Sequence, residues 1–315
     1  MSSGVFVMIR WMLGFVSPSE LLLLRFLPAS VAAIIIILVF YRDPVRSMLP
    51  KVWWYFLPRE AIAVLGFHFT LIYCETVLPA GVAALIVAIW PVMTIFAASV
   101  VLGEKITIGK LAGGLLAFAG VAAVVVLGAE EEVAVLDISQ GQWIRYSLIL
   151  LIAPLSSAFV TSITRWYLTR TEGEEMPDAF LFSLMCRAPS GVYAILAYFL
   201  FRRQVPFMET LPHLPPLFWV FVAVLAFFSS LAGFWLWNRC LQELHATSVA
   251  SFSYLQTLFA LLIAWAALGE SMSIVKIMAG VVIIAGVVIA NVERRPFIFD
   301  GERPVRGEYP ISPSN

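Results

Sequence analysis

The stretch 80–126 aligns, without a gap, with 246–292 of this 315-residue chain. Leu102-Gly103-Glu104 returns as Leu268-Gly269-Glu270, Lys110 as Lys276, Gly114 as Gly280 and Gly120-Val121 as Gly286-Val287. Both copies are long apolar runs. Two copies of one apolar helical unit, set in a bilayer, are a common plan for a secondary transporter. The echo therefore constrains the fold first, and the function with it.

Composition agrees with a membrane setting. The chain is 61% hydrophobic and 13% charged, about half the charge of an average soluble domain. Its formal net charge is zero, so no nucleic-acid partner is expected. Cys74, Cys186 and Cys240 all fall in or beside apolar runs. They read as buried thiols, too scattered for a disulfide framework or a metal site. No CxxC, HExxH, Walker loop, GxGxxG or GxSxG is present, and no cofactor or metal is expected.

A bilayer span needs about 20 apolar residues. Spans are expected near 3–16, 20–40, 61–78, 80–102, 108–128, 144–168, 178–201, 216–238, 246–268 and 273–292. The expected fold is an all-α integral membrane protein with ten transmembrane helices in two five-helix repeats. The first repeat takes 1–128 and the second 144–292, with an acidic connector at 129–143 and a tail at 293–315. The breaks between spans are polar or Pro-rich, among them Ser17–Glu20 and Arg42–Arg59. With the N-terminus in the cytoplasm, thirteen Lys and Arg fall on inside segments and four outside, namely Arg145, Arg202, Arg203 and Lys276. That bias places both termini in the cytoplasm of an inner or plasma membrane. Five is odd, so the second repeat enters from the opposite side and the repeats are inverted. Arg10-Trp11 aligns with Arg165-Trp166, which leaves Ile144–Leu155 with no counterpart before Met1. About 18 Å of the first helix is then missing, through an internal start or a truncation.

The chain resembles the EamA-like branch of the drug/metabolite transporter superfamily over nearly its whole length. The resemblance rests on Ala80–Pro91 running into Leu102-Gly103-Glu104 and Gly109–Val121. It rests also on the repeat of that pattern, and on an arginine early in each second helix, Arg25 in Leu-Leu-Arg-Phe and Arg187 in Met-Cys-Arg-Ala. It implies ten helices and export of metabolites, and is almost silent on the solute. The usual Trp-Gly start of the first helix is absent, and Thr257 stands where a proline is expected in the ninth.

Ionisable groups inside a membrane are functional candidates by default. Arg187 lies deep in the seventh span, with Ser183 and Ser190 on its face. It reads either as an anchor for a substrate carboxylate or as a structural arginine. Arg10, Arg25 and Glu75 fall toward the outer side, where Glu75 and an arginine are candidates for an ion pair or for coupling. His68 precedes Glu75 by two turns on the same face, as a proton relay or a hydrogen-bonded core histidine. Trp90 precedes Pro91 in mid-span, where the proline frees the carbonyl of Val87. Backbone irregularity at that depth is tolerated where it lines a cavity. Gln256 is the repeat partner of Trp90, flanked by Tyr254. Trp90 and Gln256 are the favoured substrate-binding pair, with core packing as the alternative. Trp237 and Asn238 are candidates for the same wall. Pro91, Glu104 and Glu270 read as structural, the two glutamates ending their repeats at opposite faces.

The expected function is a secondary transporter exporting or exchanging small metabolites by alternating access. An aromatic, weakly charged cavity favours amino-acid-like or amphipathic solutes over phosphorylated sugars. The alternatives are a lipid or lipid-carrier flippase and, from other classes, a membrane enzyme or a receptor or scaffold. Only the solute and the bilayer are expected as partners, and the sequence leaves the oligomeric state open.

Overall fold

The computed structural model describes residues 3–102, 106–136, 138–170, 178–201, 211–243, 259–260, 262–270 and 273–291. Every regular element among them is helical. In chain order the α-helices are α1 (Ser3–Met12), α2 (Pro18–Phe40), α3 (Arg42–Ala61), α4 (Thr70–Cys74), α5 (Ala80–Val87), α6 (Trp90–Leu102) and α7 (Ile108–Leu136). The second half adds α8 (Gln140–Leu150), α9 (Ile152–Arg170), α10 (Ala179–Arg187), α11 (Ser190–Phe201), α12 (Pro216–Ala223), α13 (Gly233–Glu243) and α14 (Ile274–Asn291).

Among the described residues, six helical columns are long and apolar enough to cross a bilayer. They are Pro18–Phe40, Ala80–Val101, Ile108–Leu127, Gln140–Tyr167, Ala179–Phe201 and Pro216–Cys240. Large apolar side chains stay exposed around the outside, such as Ile35, Leu38 and Val39 on α2 and Val192, Leu196 and Leu200 on α11. A helical surface that apolar is suited to lipid.

Three of these columns are broken in the middle, each beside a proline. The α5–α6 break falls at Ala88–Ile89, just before Trp90-Pro91. The α8–α9 break falls at Leu151, ahead of Pro154, and the α10–α11 break at Ala188-Pro189. A proline removes one N–H and crowds the carbonyl a turn earlier, so the helix re-registers there.

Two expectations need correcting. Arg42–Arg59 is not a loop: α3 runs through it and continues without interruption into a π-helix at Ile62–Phe69 and then α4. Ser17–Glu20 is a helix start. Ser17 caps α2, its hydroxyl accepting from Glu20 N while Glu20 Oε2 takes the Ser17 N–H at 2.6 Å. This reciprocal capping box has Pro18 at the first helical position.

The inverted relation of the halves is visible where α7 meets α14. A Cβ on Gly113 would lie 2.3 Å from Ala290 N, and one on Gly120 would lie 2.6 Å from Ile283 Cγ1 and 3.1 Å from Ala279 O. One on Gly286 would lie 2.4 Å from Ala117 N. Position numbers rise along one helix as they fall along the other, so the two equivalent helices run antiparallel. Gly113 and Gly120 are the repeat partners of Ala279 and Gly286. The Gly120–Ile283 contact is therefore repeated by its mirror, Gly286–Ala117, in the other copy. Small residues let the two backbones close on each other. α2 and α11 meet in a similar way at Ser30 and Gly191, where the Ser30 hydroxyl donates to the Ala188 carbonyl at 2.5 Å.

A second feature is shared by the halves. The π-helix at Ile62–Phe69 is matched by another at Val224–Ala232. The interval between them is the one that separates Arg25 from Arg187. A π turn carries an extra residue and breaks regular pairing, and such turns concentrate at functional sites.

Candidate functional site

Between the two halves lies a cavity of about 270 Å³. The first half contributes Arg25 from α2, Arg59 from α3, Ala63, Phe67 and His68 from the first π-helix, and Trp90 from the start of α6. The second contributes Thr161 and Thr164 from α9, Arg187 from α10, Ser229 and Ser230 from the second π-helix, and Phe234, Trp237 and Asn238 from α13. The two π-helices and one proline break thus all border the same space.

The polar lining is an ordered network. Arg25 and Arg187, the repeat-equivalent arginines, converge on Ser230. Arg25 Nε donates to its hydroxyl at 3.2 Å and Nη2 to the Ser229 hydroxyl at 3.3 Å. Arg187 Nε donates to the Ser230 carbonyl at 3.0 Å. Arg187 also pairs through Nη1 with the carboxylate of Glu60, whose other oxygen takes Arg59 Nη1 at 2.7 Å. Arg59 Nε donates to Thr164 at 3.2 Å. The Arg187 guanidinium carbon stands 3.9 Å from the centre of the Phe234 ring, where the ring face attracts a cation. Glu60 is fully buried, and the three arginines are almost so. Three guanidiniums against one carboxylate leave the cluster net positive. The expectation of a weakly charged cavity is overturned, because its charge comes from α2, α3 and α10 and not from the last two helices.

Trp90 and Trp237 meet at 5.2 Å between ring centroids, tilted by 46°. Trp90 Nε1 is buried without a partner, as are Arg25 Nη1, His68 Nδ1 and Asn238 Oδ1. All four belong to residues that line this cavity. Buried polar atoms are rarely left unpaired, and four residues that hold such atoms line this one cavity. Gln256 and Tyr254 lie outside the described residues, as does Glu104.

The expected ion pair of Glu75 is not formed. Arg10 donates to the backbone carbonyl of Glu75, and both carboxyl oxygens of that residue are buried without a partner. Arg25 turns to the serines of the second π-helix instead. No hydrogen bond links His68 to Glu75 among the described residues; the His68 ring packs at 4.8 Å against Phe26. Glu270 has a definite structural task. Its carboxylate receives Ala80 N at 2.7 Å and Gly81 N at 2.9 Å, so the end of one repeat caps the first turn of α5 in the other. A negative group at a helix N-terminus satisfies orphan N–H groups and the helix dipole together. Pro91 sits one residue past the start of α6, beside the broken turn.

Sequence reasoning missed Arg59 and Glu60 by placing them in a loop. The signal was there: an adjacent basic–acidic pair one residue before an apolar run, with no glycine or turn cluster between. It missed Ser229 and Ser230 because a hydroxyl pair inside an apolar helix has no distinctive pattern.

The family model for the EamA-like transporter family matches residues 1–126 and 144–292. The chain is 25% identical to the uncharacterized transporter YyaM of Bacillus subtilis (strain 168), over 92% of this chain and 90% of that one. It is 27% identical to a protein described as a probable terminal-alkyne amino-acid exporter of Streptantibioticus cattleyicolor, over 69% of this chain and 66% of that one. A solved crystal structure at 19% identity superposes with a TM-score of 0.62 over 92% of each chain, a likeness of fold alone.

Proposed function

The chain belongs to the EamA-like transporter family, and from that premise we propose that it exports or exchanges amino-acid-like or amphipathic metabolites by alternating access of the cavity between its halves. One observation carries this reading. Repeat-equivalent arginines, repeat-equivalent π-helices and a tryptophan pair border one space, and four of the lining residues hold buried polar atoms with no partner. Inverted-repeat transporters hold substrate at the repeat interface, where irregular helices expose backbone and side chains to it. A volume near 270 Å³ is just below the roughly 300–1,000 Å³ of drug-sized pockets. It suits a metabolite better than a whole lipid, which argues against the flippase reading. The amino-acid exporter among the relatives agrees with the proposed solute class.

Cells overexpressing the protein should accumulate one or a few small solutes in the medium. Purified protein in proteoliposomes should then exchange that solute in a saturable counterflow. Absence of counterflow for every solute raised in the medium would refute the reading.

A further inference from the structure

The partners of the three cavity arginines are unequal, and the inequality bears on what the cavity accepts. Arg59 and Arg187 share the carboxylate of Glu60. Arg25 hydrogen-bonds to no carboxylate: its Nε and Nη2 donate to the neutral hydroxyls of Ser230 and Ser229, it packs over Phe26, Glu75 acts on it only at longer range, and its Nη1 is buried with no partner. An unpaired guanidinium away from water is expensive, and a carboxylate is the group whose geometry best matches it. Resting on the transport reading above, we infer that the cavity selects solutes with a single carboxylate, which docks on Arg25. Glu60 sets that limit by serving as the built-in carboxylate of the other two arginines.

The remaining open atoms specify the rest of the solute. The Ser183 hydroxyl donates to the Ala179 carbonyl at 2.6 Å, so it can only accept from Asn238 Nδ2 at 2.9 Å. That assignment fixes the amide with Oδ1 unpartnered. An acceptor in that place calls for a donor on the solute, such as a protonated amine. Trp90 Nε1 offers a second donor for an acceptor. Beside them the Trp90–Trp237 pair gives an apolar body a stacking surface. A free amino acid with a large side chain satisfies all of these at once. A dicarboxylate has one carboxylate too many while Glu60 is present, and an amino-acid amide has none for Arg25.

The test is binding to the detergent-purified full chain, followed by tryptophan fluorescence. Three probes share one ring and one α-amine and differ in carboxylates: L-phenylalanine with one, L-phenylalaninamide with none and 3-phenylaspartate with two. The wild type should prefer phenylalanine over both others by about thirty-fold or more, the usual effect of leaving a buried charge unpaired. Arg25→Gln should erase the preference over the amide. Glu60→Gln should raise affinity for phenylaspartate by about tenfold or more, and its fold is checked by thermal unfolding. If Glu60→Gln does not fold, the wild-type preference over phenylaspartate still decides the charge count. Equal binding of phenylalanine and its amide, or an unchanged preference in Arg25→Gln, would overturn the inference, as would no binding of any probe to folded wild type. Counterflow of an efflux-identified solute is measured separately, so loss of the inference is distinguishable from loss of the transport reading.

Discussion

Arg25 and Arg187 occupy equivalent places in the two copies, yet their environments predict different mutant behaviour. Arg187 holds Glu60, the Ser230 carbonyl and the Phe234 ring together. Arg187→Gln should lower stability by about 3 kcal/mol, since removing one partner of a buried pair strands the other. Thermal unfolding in detergent measures this. Arg25→Gln removes a charge that hydrogen-bonds to no carboxylate, so its melting temperature should fall less while solute binding falls more. Trp90 gives a second contrast. Trp90→Ala removes the stack on Trp237 and the open N–H, and should cost roughly 1–3 kcal/mol of affinity, or about five- to 150-fold, with membrane expression retained. Trp90→Phe keeps the ring and should recover part of that loss. Of the candidates named from sequence, Trp90, Trp237, Asn238 and Arg187 border one cavity, and so do Arg25 and His68, which the sequence reading set apart as ion-pair or relay groups. Trp90 and Arg187 stood out because a polar or bulky group in mid-span has few other uses. Glu60 was not, since its depth depends on α3 continuing into the next span.

At the scale of elements, the seam between α7 and α14 and the Glu270 cap make distinct predictions. Even an alanine at position 113 would press its methyl to 2.3 Å from Ala290 N. Gly113→Leu should therefore part the helices and remove the monodisperse peak in size-exclusion chromatography. Glu270→Gln keeps one acceptor but turns an amide NH₂ toward a backbone N–H of the α5 first turn. A loss of about 1–2 kcal/mol is expected, read from thermal unfolding. Part of the seam shows in the sequence, where Gly120 and Gly286 recur in register, whereas Gly113 is matched by Ala279. The π-helices were not, because one extra residue per turn leaves hydropathy unchanged. The proline breaks lie between: Pro91 announces its own, but α8–α9 needed the three-dimensional course of Leu151 to be seen.

For the whole molecule, the antiparallel α7–α14 contact and the Glu270 cap both join the end of one copy to an equivalent or neighbouring element of the other in the reverse sense. With the bias of Lys and Arg, we propose that both termini lie on the cytoplasmic side. Single cysteines at 130–142 should react with an impermeant maleimide added outside intact cells, and cysteines at 44–50 or 300–310 should not. The central claim is that the cavity between the halves opens to each side in turn. Ser157 borders that cavity on α9. Its cysteine variant, in a chain lacking Cys74, Cys186 and Cys240, can be labelled in right-side-out and inside-out vesicles with and without the transported solute. Labelling from both faces, slowed by solute at each, is the predicted result. Labelling from one face alone, whether or not solute is present, would contradict it.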